Sequence, residues 1–479
     1  MINKTLLLFL TLVIFQSAQA ANKYVRAGAS GNGNDWTNAL PSLPSSLTRG
    51  DTYYVASGSY NGRSFKDAVS GTKAITIKKA TQADHGTEAG WKESYGTGAA
   101  TFDGQLAFNS SYYVFDGSEG GGPTAWGKGF GFKVTETGDS TAVISVGNGT
   151  AGDNISIRHT ELVGKGRAGT GGGNLGNDGV AIYGHSNITV SYCYIHECGR
   201  CPFFVSPSNL VVEYSQIGKF YGSEAVHSEV ASIWAFISKM GDVTFRYNLF
   251  TYVTSTGGLM FDNSSNPSCH LYVYGNVFYE STPAWVEANG VIGGWTGGGG
   301  EKFYNALVYN NSFVTINQAV LSNFPNIHGG CVAKNNLWYS CAGENFDIFD
   351  HDFNHFINSG GTYGEKHGSS GQGDPFIDYK NLNFALKSDT PPGDSSVPSQ
   401  YRTDMFGNVG LTRGAVQYSG SPAPTPTPEP TATPEPSPSP TPEPTPEPSP
   451  TPGSATFEDW IKEQNNWIRK HPPYPDTKN

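Results

Sequence analysis

The chain of 479 residues carries 61 glycines, 25 tyrosines and 27 phenylalanines but only 15% charged side chains, a balance that favours β-structure with many turns. Its formal net charge of -11 argues against nucleic acid as a partner and leaves sugars open.

The first element in chain order is a targeting segment. Residues 1–20, MINKTLLLFLTLVIFQSAQA, combine one lysine, an apolar middle and the small-residue end AQA, which predicts a secretory signal cleaved near Ala20 or Ala21. The mature chain is therefore expected outside the cell or on its surface. No later stretch has about 18 uninterrupted apolar residues, so a second membrane anchor is not expected.

Residues 21–420 form the next unit, and within it one ten-residue frame recurs. The copies are NISIRHTELV from Asn154, NITVSYCYIH from Asn187, NLVVEYSQIG from Asn209, DVTFRYNLFT from Asp242, HLYVYGNVFY from His270, NALVYNNSFV from Asn305 and GCVAKNNLWY from Gly330. The ninth residue of each is apolar, from Leu162 to Trp338, at successive gaps of 33, 22, 33, 28, 35 and 25 residues. Periods of roughly 20 to 50 residues belong to solenoids and propellers. Positions two and four are apolar almost throughout, as in Ile155 and Ile157 or Val243 and Phe245, which is the period of a strand with one face inward. One such strand per repeat, with no amphipathic helix between copies and no four-strand blade, predicts coils stacked in register as a parallel β-helix. Position seven reads Thr160, Cys193, Ser215, Asn248, Asn276, Asn311 and Asn336. In coils stacked about 4.8 Å apart these amides can donate to one another, so the column is expected to be a buried structural ladder. Asparagine also tolerates the left-handed backbone that a corner needs.

The cysteines are Cys193, Cys198, Cys201, Cys269, Cys331 and Cys341. An even number in an oxidising compartment allows disulfides, and the expected pairs are Cys331 with Cys341, which bracket one frame, and Cys198 with Cys201. Redox or metal chemistry at that CxxC lacks a second CxxC and a surrounding βαβ pattern. Residues 421–453 are a Pro/Thr/Glu-rich linker, expected to be extended and disordered. Residues 454–479 predict one short amphipathic helix, capped by Thr456 and Asp459, with Phe457, Trp460, Ile461, Gln464 and Ile468 on one face and Pro472 and Pro473 as its stop. Such a helix cannot hold a core of its own, so it either packs on the β domain or engages a protein partner or the cell surface.

The segments YVRAGASGNGNDWTNALPSLPSSLTRGDTYYVASGSYNGRSF and AITIKKATQADHGTEAGW at one end, the frames between, and GDPFIDYKNLNFALKSDTPPGDSS with DMFGNVGLTRGAVQY at the other resemble the secreted right-handed parallel β-helix, or pectin-lyase-like, superfamily. The resemblance implies an all-β, right-handed, single-stranded solenoid with an N-terminal cap and a closing segment. It also implies a polysaccharide as substrate or ligand. Hydrolase signatures of the superfamily are missing apart from a partial likeness at Asn177 and Asp178, and so is the epimerase DPHD.

Two places are candidates for chemistry. Position five of the frame gives an outward column of Arg158, Ser191, Glu213, Arg246, Tyr274, Tyr309 and Lys334, in which the cations and tyrosines Arg158, Arg246, Tyr274, Tyr309 and Lys334 suit an anionic oligosaccharide. An ordinary solvated face is the alternative. The second place lies just upstream of the frames, where coil stacking can bring Asp178 near His227 and Glu229, with Lys219 and Tyr221 leaving the preceding strand close by. Two carboxylates and an imidazole can divide acid and base work when burial separates their pKa values, whereas loop-stabilising hydrogen bonds are the plainer reading. His185, His196 and Glu197 read as polar groups of turns. No metal site is assigned, although the acidic stretch DIFDHDFNH from Asp347 leaves room for calcium.

The expected function is that of a polysaccharide lyase acting on an acidic glycan by β-elimination, with Lys219 or His227 as base and Arg246 stabilising the uronate charge. A non-catalytic glycan-binding or adhesin-like surface protein and a glycoside hydrolase are the alternatives.

Overall fold

The computed structural model describes residues 20–148, 151–166, 176–221, 228–235, 240–251, 257–279, 290–294, 302–317, 320–321, 327–344 and 346–420. The targeting segment up to residue 19, the linker 421–453, the tail 454–479 and His227 lie outside them.

Parallel pairing runs the length of the domain and sorts its strands into three faces. Sheet one joins, in order, Asn22–Val25, Thr52–Val55, Ile75–Lys79, Tyr113–Asp116, Ile155–Arg158, the second halves of Asp178–Ser191 and Phe203–Glu213, Val243–Arg246, Leu271–Tyr274, Ala306–Tyr309, Val332–Lys334 and Asp350–Asp352. Sheet two begins with the first halves of Gly58–Phe65 and Ala100–Phe108. It continues through Phe132–Thr135, Thr160–Val163, Tyr194–His196, Gln216–Ile217, Leu249–Phe250, Val277–Tyr279, Ser312–Val314, Leu337–Tyr339, His355–Ile357 and Ser369–Gly371. Sheet three takes the second halves of Gly58–Phe65 and Ala100–Phe108, then Ala142–Val146, the first halves of Asp178–Ser191 and Phe203–Glu213, Glu229–Trp234, Gly257–Asp262 and Ile292–Gly293. The chain is a parallel β-helix. A full coil carries three strands, of which the repeating frame supplies sheets one and two, while sheet three comes from the stretch of variable length between frames.

Apolar alternation places the core inside the coils. Ile155 and Ile157, Ile188 and Val190, Leu210 and Val212, Val243 and Phe245 all face the same buried interior. The ninth position forms an interior aromatic stack, Phe250 to Phe278 at 4.4 Å, Phe278 to Phe313 at 5.1 Å, Phe313 to Trp338 at 4.8 Å and Trp338 to Phe356 at 5.1 Å between ring centroids. Stacking of this kind adds roughly 0.5–1.5 kcal/mol per pair beyond area burial.

The position-seven column is a hydrogen-bonded ladder at the corner between sheets one and two. The Nδ2 of Asn248 donates to Asn276 Oδ1 at 3.0 Å, that of Asn276 to Asn311 Oδ1 at 3.0 Å, and that of Asn311 to Asn336 Oδ1 at 3.0 Å. Each Oδ1 also accepts the backbone N–H of the preceding member, and each Nδ2 reaches back to a main-chain carbonyl such as Val212 or Val273. The ladder runs one coil beyond the repeating frames, to Asn354, whose Nδ2 and backbone N donate at 2.6 and 2.9 Å to the carboxylate of Glu365. The left-handed residue of this corner is position six, not the asparagine of position seven. His159, Tyr192, Tyr214 and Tyr247 have φ between 48° and 57°. Such a backbone costs about 1–2 kcal/mol for a residue with a Cβ, and the four rings stack on one another at 4.8, 4.9 and 5.1 Å, which offsets part of it.

The expected disulfides are not formed. All six cysteines are buried and none is joined to another. Cys331 enters sheet one and its Sγ donates to Phe303 O, whereas Cys341 leaves sheet two and donates to Phe313 O, so the two face different coil edges. Cys198 Sγ points to His196 O and Cys201 Sγ to Glu229 Oε2 at 3.5 Å.

The closing segment folds back along the outside. Phe376, Phe384, Leu386, Met405, Ala415 and Val416 pack on Leu249, Val277, Val314, Leu337 and Ile357, which point outward from sheet two, to make a second hydrophobic layer. Arg413 fastens it, with Nη1 donating to Asn354 O at 2.9 Å and to Ser369 Oγ at 2.8 Å.

Two predictions arise from these contacts. Replacing Asn311 by leucine strands the donors of Asn276 and the carbonyl of Val273 in the core, and should lower unfolding free energy by about 3 kcal/mol or more, since each orphaned buried group costs about 1–3. Asn209→Gly, at an exposed left-handed corner with φ 70°, should change it by less than about 0.5 kcal/mol. Urea midpoints of the two variants decide this. The second concerns Lys79, which is 0% exposed and donates to the carbonyls of Ala80, Tyr95 and Gly96. Burial lowers its pKa to about 8, below the roughly 10.4 of an unfolded lysine. The unfolded chain therefore binds the extra proton between those values, and stability should rise with pH across that window. The melting temperature of the wild type, followed from pH 8 to 10, should carry an upward contribution that Lys79→Met lacks.

Candidate functional site

Sheet three has an unusual outer face. Val180, Ile182, Phe203, Val205, Ala231, Ile233, Leu259 and Phe261 point into the core, so the alternate residues Ala181, Tyr183, Phe204, Ser206, Ser232 and Met260 point out. These outward side chains are buried as well. A polar cluster is set beside them at the corner where sheet two turns into sheet three.

The cluster is built on successive strand starts. Asp178 opens its strand, Cys201 occupies the same register one coil on, and Glu229 opens the strand after that. The Nε of Arg200 donates to Asp178 Oδ1 at 2.8 Å and its Nη2 donates to Oδ2, while the backbone N of Cys201 donates to Oδ1 at 3.2 Å. Beneath the guanidinium lies the ring of Phe204, 4.5 Å away. Burial pulls the Arg200 pKa down, but the charge and hydrogen bonds of Asp178 outweigh it and hold the group above its ordinary value. Ser228 Oγ donates to Arg200 O at 2.8 Å, so Glu229 is tied to the same corner. Burial first, and then the charge of Asp178, push the Tyr183 hydroxyl up. The thiols of Cys198 and Cys201 rise well above their usual value for the same reason, which makes them poor nucleophiles.

The rim is different in character. Lys219 is exposed, with its ammonium 4.9 Å from the centroid of the Tyr221 ring. Tyr221 donates its hydroxyl to Glu197 Oε2, and burial followed by that hydrogen bond raises its pKa, so it stays protonated at neutral pH. Next to it on sheet two, His196 Nε2 pairs with Glu161 Oε1 at 3.0 Å, and Lys133 Nζ with Glu161 Oε2 at 3.2 Å. The hydrogen bond from His196 is the main reason that the Glu161 carboxyl stays below its ordinary range.

The structure thus brings Asp178, Glu229 and Lys219 to one corner, with His227 outside the described residues. Their roles separate. Asp178 is 1% exposed and accepts from Arg200 through both oxygens. Glu229, 2% exposed, stands against Cys201. Arg200 is the residue that the sequence reading passed over. Its signal was a guanidinium between two buried cysteines in CGRC, where an unpaired charge would be prohibitive.

The outward column of sheet one is paired along its length. Arg158 Nη2 is spent on Asp116 at 2.8 Å, and Arg246 on Glu213 at 2.6 Å and on the hydroxyl of Tyr274 at 3.1 Å. Tyr274 and Tyr309 pack on Tyr401 of the closing segment at 5.0 and 5.2 Å, and Lys334 pairs with Asp394 of the same segment at 3.3 Å. These side chains tie neighbouring coils to one another and to the closing segment. In the acidic stretch, Asp352 accepts from His367 Nδ1 at 2.7 Å, and no three metal-ligating side chains come together among the described residues.

No family model matches the chain, and no curated protein does. Among solved structures, the chain is similar to the crystal structure of pectate lyase Pel9A, at 12% identity over 84% of this chain and 97% of that one, with a TM-score of 0.47. It is also similar to the PL6 family polysaccharide lyase Pedsa3628 from Pseudopedobacter saltans, at 12% identity over 76% and 95% of the two chains, with a TM-score of 0.31. These are likenesses of fold, and on the register of its own three sheets the chain is a parallel β-helix.

Proposed function

We propose that this protein is an exported polysaccharide lyase that cleaves an acidic glycan by β-elimination at the corner between sheets two and three. The observation that carries the reading is the rim pair at this corner, the exposed ammonium of Lys219 4.9 Å from the centroid of the Tyr221 ring, whose hydroxyl stays protonated. Elimination needs three things: a cation at the uronate carboxylate, a base for the C5 proton and an acid for the leaving O4. Lys219 and His227 divide the first two of these, cation and base, while Arg200, already bound through two nitrogens to Asp178, braces the wall of the corner. Lys219 or His227 takes the C5 proton, the electron pair forms the C4–C5 double bond, and the C4–O4 bond breaks as Tyr221 delivers its proton to O4, to be reprotonated from solvent. Export follows from the targeting segment of residues 1–20.

Incubation with polygalacturonate and with alginate, with and without a chelator, should give the ultraviolet absorbance of an unsaturated uronate. Lys219→Ala and Tyr221→Phe should each lower kcat by about 10²-fold or more, the usual worth of a positioned acid or base. New reducing ends without that absorbance would make the protein a hydrolase, and glycan binding without any cleavage would make it a binding or adhesin-like module. Full activity in both variants would remove the chemistry from this corner.

A further inference from the structure

The closing segment carries a surface cavity of about 360 Å³, at the lower end of the range for binding pockets, between the turn that leads to Val409 and the last residues before Gly420. Asp404, 2% exposed, builds one side of it. Its Oδ1 accepts the backbone N–H groups of Phe406 and Asn408 at 2.9 and 2.8 Å, and its own N donates to Asn408 O at 2.9 Å, so residues 404–408 close into a tight turn that delivers Val409 to the rim. Asp404 Oδ2 reaches across to accept from Gln417 N at 3.0 Å and holds the other side in place.

The polar groups of the wall are largely matched to one another. Thr412 Oγ1 donates to Asp389 Oδ1 at 2.8 Å and accepts from Tyr418 N at 3.0 Å, and Thr412 N donates to Gln417 Oε1 at 3.0 Å. What the cavity leaves unmet is apolar surface and one charge. Val409 and Tyr418, on its rim, are 59% and 37% exposed, in a molecule that buries nearly all its other large apolar side chains among the described residues. Asp389 is exposed, and its Oδ2 has neither a hydrogen bond nor a cation beside it among the described residues.

The course of the chain points to the occupant. The described residues end at Gly420, two positions beyond Tyr418, so the linker 421–453 starts at the rim of the cavity and tethers the tail 454–479 to it. A tether makes even a weak contact intramolecular, which raises its occupancy without any new interaction. In the tail, Phe457, Trp460, Ile461 and Ile468 recur at the spacing of a helix that docks by one face, and the cations Arg469 and Lys470 follow directly. Apolar anchors suit Val409 and Tyr418, and the cations suit Asp389.

We propose that this cavity is the docking site of the chain's own C-terminal tail, with Trp460 seated between Val409 and Tyr418. The apolar stripe that has no core of its own is then covered by the domain that carries it, and the linker becomes a loop closed at the rim.

Hydrogen–deuterium exchange of the full-length protein, read by mass spectrometry, is the test. Amides of residues 408–419 and of residues 456–470 should exchange at least tenfold more slowly in the wild type than in Trp460→Asp and in Val409→Asp, whatever the protein concentration. The amides of Asn276 and Asn311, in the ladder, should stay protected in both variants, which separates undocking from unfolding. Equal exchange in all three proteins would overturn the proposal, as would tail protection that survives Val409→Asp. Protection that grows with protein concentration would also overturn it, since the occupant would then be a second copy of the chain.

Discussion

The amide ladder at the corner between sheets one and two is the constraint on which the rest of the molecule depends. Each asparagine donates forward to the next Oδ1 and back to a carbonyl, and accepts a backbone N–H in return, so its buried amide is satisfied only if the neighbouring coil is in register. A one-residue slip would put Tyr247 or Leu249 in place of Asn248 and Gly275 or Val277 in place of Asn276, and orphan several donors at once. The ladder therefore fixes register as well as adding stability. It also needs an end. Glu365 provides one, with the carboxylate taking both donors of Asn354 that no further coil could accept.

Because that corner is fixed, variation is displaced to the other two. Between sheets one and two a single left-handed residue always intervenes before the ladder position, as at His159, Tyr192, Tyr214 and Tyr247. Between sheets two and three the connection changes with every coil, from Val163 to Asp178, His196 to Phe203, Ile217 to Glu229, Phe250 to Gly257 and Tyr279 to Ile292. Long connections free of a stacking rule are where functional side chains accumulate on rigid scaffolds. Asp178, Arg200, Glu229, Lys219 and Tyr221 are all found at this corner, and the strands behind them hold their spacing.

This division also decides what could be read from the sequence. The frame repeats because stacking demands it, so Asn248, Asn276, Asn311 and Asn336 announced both the solenoid and the ladder. Asn354 escaped because its frame, FDHDFNHFI, carries His351 where the inward apolar residue should stand. Sheet three was invisible as a repeat because its strands lie in the variable gaps, and Asp178 and Glu229, expected on adjacent coils, share a register two coils apart with Cys201 between them. The partners of the outward column of sheet one were illegible for another reason: alternation tells which side a residue faces, but not that Asp116, Glu213 and the closing segment would pair with Arg158, Arg246, Tyr274, Tyr309 and Lys334. Partners from distant sequence leave no local trace.

The ends of the solenoid raise the same accounting question as its middle. A parallel stack exposes unpaired N–H groups at its last coil, a template for pairing with another chain unless it is blocked. On sheet three the block is Glu344, whose oxygens accept Val320 N at 2.7 Å, Leu321 N at 3.1 Å and the indole N–H of Trp338 at 2.9 Å. Burial pushes this carboxyl up to about 8 in spite of the three donors. On sheet two the block is the closing segment, which lays Phe376, Phe384 and Leu386 along outward side chains that would otherwise be an exposed apolar stripe. Sheet one ends in Asp350, His351 and Asp352, charged side chains that disfavour edge-to-edge addition. Each face is thus terminated by a different device suited to what it leaves unsatisfied, whereas between the ends the amide ladder holds the register that the strand pairing and the aromatic stack share.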